Sequence, residues 1–199
     1  MSTNSAEQAV KIALSQVGHG IYQLGTGDAS DHPDDPTDCA GFAINRCYGL
    51  KRHRPGFNKG PWASVEDDLN CNSAIEDAEH KQELFTLVFP GPNAVAKSPK
   101  MGDAHAFDVP HPGDLITYPT FRLEGHKDPW IGHIAIVTAV PAEWSWGQST
   151  WRELGIVQCC GPNGRRPGII AGTAGHWDLH DSQWPKPEHR TRLIRVRQD

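Results

Sequence analysis

No run of apolar residues in this 199-residue chain approaches the length of a bilayer crossing, so no membrane span is expected. The start Met1-Ser2-Thr3-Asn4-Ser5-Ala6-Glu7 lacks the basic residues and hydrophobic stretch of an export signal. Synthesis in the cytoplasm without a signal peptide is therefore expected. An excess of positive charge is missing too, and a formal net charge of -5 argues against nucleic acid as the partner. The five cysteines cannot close a disulfide framework without leaving a thiol over, which points to a reducing compartment of synthesis. Neither C-x-x-C nor H-E-x-x-H spacing occurs. The acidic residues Asp28, Asp31, Asp34, Asp35 and Asp38 lack the spacing of a calcium loop, and adjacent Cys159 and Cys160 are poorly placed to share one zinc. Neither a metal nor an organic cofactor is expected. There is no internal repeat either.

What the chain does have is loop-forming residues, with 20 glycines and 16 prolines, so short strands and long connections are more natural than a helix bundle. Its length suits a single catalytic domain over 1–199. Ser5 to Val17 reads as an amphipathic helix capped by Ser5, with Ala9, Ile12, Ala13 and Val17 as its stripe and Gly18 as its stop. From about 51 to 110 the pattern weakens to a long insertion with one helix at Ser73 to Leu84, and with Trp62, Phe85 and Phe89 as apolar anchors. Strand patterns follow at Asp114 to Tyr118, Gly132 to Val140, Gly155 to Cys160 and Thr191 to Arg197, where the basic residues read as a solvated face. Helices first and strands afterwards imply an α+β fold, with N-terminal helices packed on a central antiparallel sheet.

The stretch Thr37-Asp38-Cys39-Ala40-Gly41-Phe42 places a cysteine where a turn rich in Asp and Pro gives way to a helix that ends at Gly49. The free N–H groups and dipole of a helix start favour a thiolate, so Cys39 has the position of a nucleophile. Alone, it reads first as a small buried hydrophobe, and only partner residues reverse that reading. His133 opens the strand Gly132-His133-Ile134-Ala135-Ile136-Val137, on the face shared by Ala135 and Val137, where the small alanine would let the cysteine helix approach. A thiol and an imidazole in hydrogen-bond reach make the base and nucleophile of a cysteine hydrolase. Gln158 and Cys160, which share one face of their strand, and Asn163 just beyond are the candidates for a third group that orients the imidazole.

The order Asp-Cys-small-Gly-Phe at 38–42, Pro112-Gly113-Asp114-Leu115-Ile116, then Gly132 to Val137 resembles the NlpC-type cell-wall cysteine peptidases, which have a papain-like fold. Cys159-Cys160-Gly161 is most similar to the peptidoglycan amidase effectors of type VI secretion. The resemblance implies Cys39 as nucleophile, His133 as base and Cys160 as orienter. Tyr22 would stand near the nucleophile, and Tyr22, Asp38 and Gln158 are the expected substrate- and oxyanion-side residues. It further implies hydrolysis of an amide in the peptidoglycan stem peptide, commonly the γ-D-glutamyl link to diaminopimelate, without a cofactor. Delivery to the wall would come from a secretion machine or phage lysis, and a secreted toxin would have a cognate immunity protein as partner. Alanine at 40, the long insertion and the absence of the usual third-site histidine depart from the pattern. The rival readings are a cysteine hydrolase of another amide or ester, a metal site drawn from the eleven histidines, five cysteines and acidic loop, and a non-catalytic module with Trp130, Trp144, Trp146, Trp151 and Trp177 as a binding platform.

Overall fold

In the computed structural model the described residues are 4–23, 32–50, 69–89, 108–122, 130–144, 151–161, 168–175 and 191–198. Six strands run through them: Phe85–Phe89 (β1), Leu115–Arg122 (β2), Trp130–Ala139 (β3), Gly155–Cys160 (β4), Gly168–Thr173 (β5) and Arg192–Val196 (β6). They pair antiparallel into one sheet of order β1-β6-β2-β3-β4-β5. The fold class is thus α+β, with four strands where alternation places them. The other two correct the sequence reading. β1 lies inside the supposed insertion, yet it forms an edge of the sheet, with Phe85, Val88 and Phe89 buried. β5 is the opposite edge, and the loop before the cysteine helix covers it, since Ile169 N–H donates to His19 O and Gly18 N–H to Ile169 O.

Helix α1 (Ala6–Ser15) starts where Ser5 Oγ accepts the N–H of Gln8. Ala9 and Ala13 face the core and Ile12 packs at its margin. Val17, expected in the same stripe, lies beyond the helix and is exposed, because the chain unwinds before Gly18 at φ 88°. A second helical segment starts at Cys39 and is wound as a π-helix over Gly41–Cys47. It ends at Gly49, whose φ of 68° is left-handed as expected. Helix α2 (Cys71–Glu76) continues as a π-helical turn over Asp77–Lys81. The expected helix from Ser73 to Leu84 therefore starts earlier and stops earlier. Asp77 explains the stop: its carboxylate accepts the N–H groups of Glu83, Leu84 and Phe85 and turns the chain into β1.

The helices cover one face of the sheet, where Phe42, Ile44, Leu69 and Ala74 meet Leu115, Ile134, Ile136 and Val157. The other face carries Ile116, Tyr118, Ala135, Val137, Ile156 and Leu193, packed with Trp151, Leu154 and Ala174. With both faces dry, each buried Ile or Leu contributes about 2 kcal/mol of transfer free energy. The turn before β2 locks the layers together. Gly113, at φ 100°, has no room for a Cβ, which would lie 2.5 Å from Ala6 Cβ, and its carbonyl accepts the Tyr48 hydroxyl. Asp114 is buried and takes a bidentate bond from Arg195, Nε to Oδ1 at 2.7 Å and Nη2 to Oδ2 at 3.0 Å. Arg192 Nε likewise meets Glu79 at 2.7 Å. These C-terminal arginines are tied down, which corrects their reading as a solvated face.

Candidate active site

Cys39 stands at the first helical position because Asp38 caps the helix. Asp38 Oδ1 accepts the N–H of Gly41 at 2.7 Å and its carbonyl that of Phe42 at 2.9 Å. Asp38 is buried, and its carboxylate accepts the Gly41 N–H at the helix start. Arg46, buried near the other end of this helix, holds the preceding loop by donating to Gln16 Oε1, Pro33 O and Asp35 O. The described end of the acidic loop is thereby held through the carbonyls of Pro33 and Asp35. Among the described residues no group of three or more His, Cys, Asp or Glu is arranged to hold a metal ion.

The site lies where β3 and β4 part. Their backbones pair from Ala139↔Gly155 to Ile136↔Val157, and among the described residues no rung joins them beyond that point. β3 stays paired with β2 at Tyr118↔His133, and β4 with β5 as far as Cys160↔Gly168. Val137 exchanges bonds with Asp114 O and Gly113 N on the β2 side, so by alternation Ile136 and Ile134 turn their backbone groups toward β4. With β4 withdrawn, the backbone of Ile134 bonds to the Cys39 sulfur instead. Side chains bridge the rest of the gap: His133 Nε2–H donates to Gln158 Oε1 at 2.7 Å, and His133 also hydrogen-bonds to Cys39 and Cys160.

The structure therefore brings together Cys39, His133, Gln158 and Cys160, by a route the alternation pattern misplaces. The cysteine helix packs on the Ile134/Ile136 face, not on the Ala135/Val137 face, and reaches His133 through the opening between strands. Tyr22 joins them. A parallel bridge with Thr37 holds its backbone, and its ring lies so close to Gly161 that a Cβ there would be 3.0 Å from Cε1. Asn163, Trp62, Trp146 and Trp177 lie outside the described residues. Trp151 is buried and Trp144 packs against the same cluster, so these two are core anchors rather than a binding platform.

Electrostatics follow from the contacts. A hydrogen bond from Cys71, then bonds and charge from His133 and the Ile134 backbone, hold the Cys39 thiol well below its ordinary pKa despite burial. Burial alone would pull His133 down, but hydrogen bonds with Cys160 and Cys39, backed by the Cys39 charge, raise it to about 10. Both shifts favour the charged forms, thiolate for Cys39 and imidazolium for His133. Burial, followed by the Cys39 charge, pushes the Tyr22 and Tyr118 hydroxyls up, which keeps both protonated as donors.

Three neighbours escaped the sequence reading. Tyr118 faces His133 across the ladder with ring centroids 6.1 Å apart, Thr117 Oγ1 donates to the His133 carbonyl at 2.9 Å, and Cys71 is buried in the same cluster as Cys39. The strand pattern around Pro112-Gly113-Asp114 was a signal for the first two, since any strand paired with β3 must set side chains beside His133. No protein-family model matches the chain, and no curated protein or solved structure does either. Among the described residues no helix is long and apolar enough to cross a membrane.

Proposed function

We propose that this chain is a papain-like cysteine peptidase or amidase of the NlpC type that hydrolyses an amide bond in the peptide stem of peptidoglycan. The observation that carries this reading is the hydrogen-bonded pair of Cys39, at a capped helix start, and His133, held at Nε2 by Gln158. The ordered motifs around Cys39, Asp114 and His133 support the choice of substrate. Cys39 sulfur attacks the amide carbonyl carbon, and the oxyanion is received by the Cys39 N–H and the Tyr22 hydroxyl. The imidazolium gives its proton to the departing amine as the C–N bond breaks, leaving a thioester on Cys39. Neutral His133 then takes a proton from water, which adds to the thioester carbonyl and releases the thiolate. Gln158 is the orienter by its 2.7 Å bond, and Cys160 supports the ring from the same strand face.

Incubation of muropeptides with the wild-type chain and with Cys39→Ala, followed by mass analysis, tests the proposal. Fragments split at the γ-D-glutamyl link to diaminopimelate are expected with the wild type alone. Absence of any wild-type cleavage, or equal cleavage by both, overturns the peptidoglycan reading. A protein of this activity made in a bacterial cytoplasm and delivered to the wall by a secretion machine is expected to have a cognate inhibitor protein that stops hydrolysis when mixed in equal amounts.

A further inference from the structure

His133 is held from β4 by Gln158, and β2 lies on its other flank. That flank is broken too. Pro119 has no N–H to give a ladder, and the register between β2 and β3 shifts between Tyr118 and Phe121. Tyr118↔His133 is thus the last rung before the shift, at the level where, among the described residues, β3 no longer pairs with β4. Side chains of β2 hold the histidine there. Thr117, buried on the helix-covered face, donates from Oγ1 to the His133 carbonyl at 2.9 Å and fixes its backbone. Tyr118 projects from the same face as His133, as directly opposed residues of a ladder do, and sets its ring beside the imidazole. The centroids lie 6.1 Å apart with the planes tilted by 42°, within the roughly 4.5 to 7 Å range of attractive aromatic pairs. Packing with Ile116, Ala135 and Val137 buries the tyrosine ring, so it forms a fixed wall.

We propose that Tyr118 is a positioning residue of the site: its ring braces the His133 imidazole from the β2 side while Gln158 holds Nε2 from the β4 side. One hydrogen bond at a ring nitrogen leaves the imidazole able to pivot about that bond. A second ring packed beside it removes the pivot, and a base kept in one orientation is worth most in the chemical step, where small misplacements are costly. The inference rests on His133 being the base, but on no particular substrate.

The test reads the His133 ring by NMR in the full chain for wild type, Tyr118→Phe and Tyr118→Leu, with kcat and KM on muropeptides measured alongside. Cross-peaks between the Tyr118 and His133 ring protons are expected in the wild type. Phenylalanine keeps the ring, so Tyr118→Phe is expected to retain the cross-peaks and a kcat close to wild type. Leucine fills the core without a flat wall, so Tyr118→Leu is expected to shift the His133 ring signals and to lower kcat roughly tenfold with KM little altered. Wild-type spectra without the cross-peaks would overturn the proposal even if neither variant folds. Ring signals and kcat of Tyr118→Leu equal to wild type would overturn it as well, and equal losses in both variants would move the effect to the hydroxyl and do the same. If the ring signals behave as expected but the wild type cleaves no muropeptide, the choice of substrate fails and the bracing of His133 stands.

Discussion

The two ends of the β3–β4 pair are held by different forces. At the Ile136–Ala139 end backbone rungs close the gap, and apolar side chains fill both faces, Ile136 and Val157 under the helices and Val137 and Ile156 on the other side. At the His133 end no rung joins the described residues of the two strands, and His133, Gln158, Cys160 and the start of the cysteine helix meet between them. A complete ladder uses up every inward backbone donor. Only where it opens can the Ile134 N–H serve a sulfur, and only there can side chains from the two strands and a helix meet at the level of the sheet.

That contrast predicts catalytic losses at one end and stability losses at the other. The largest effect belongs to Cys39→Ala, which is expected to reduce stem-peptide hydrolysis roughly 10⁴-fold or more, measured by product release. At the closed end Ile136→Ala should cost about 2 to 5 kcal/mol in denaturant unfolding while the folded protein keeps its alkylation rate at Cys39. Arg195→Met removes the partner of buried Asp114, beside which Val137 is bonded, and should cost about 2 kcal/mol, a buried-pair loss reduced by the partial exposure of the arginine. Back at the open end, Gln158→Leu should lower kcat roughly tenfold through misorientation of the imidazole, with KM little altered. An unfolding cost at Gln158 as large as that at Ile136 would erase the distinction.

The smallest effect is a pH dependence. Relative to an unfolded thiol near 9.0 and imidazole near 6.5, the folded pair holds Cys39 low and His133 at about 10. The lowered Cys39 contributes stability that is present above 9.0 and is lost as pH falls through its folded value. Above 9.0 the unfolded thiol loses its proton while folded His133 keeps its own, so the His133 contribution fades as pH rises through about 10. Comparison of denaturation midpoints of wild type and Cys39→Ala across this range checks the shape.

Local signals made much of this legible. Ser5, Gly18 and Gly49 mark helix ends that capping and left-handed turns demand, and alternation around His133 correctly groups it with Ala135 and Val137. Alternation has no means of naming the layer that covers each face, so the helix was expected on the wrong side. β1 escaped because Phe85-Thr86-Leu87-Val88-Phe89 is nearly apolar throughout and has no polar face to reveal a strand. β5 escaped because glycines at 168 and 172 weaken strand propensity. Cys71 carries no motif at all: only the packing of α2 on β2 buries it in the cluster that holds Cys39.

An NMR titration of the His133 ring, in wild type and in Cys39→Ala, is the most direct check on the ion pair at the open end. The ring is expected to remain protonated through neutral pH and to titrate near 10 in the wild type, and to titrate far lower once the sulfur is gone. A ring that titrates near 6.5 in both proteins would contradict the pairing and every catalytic role derived from it.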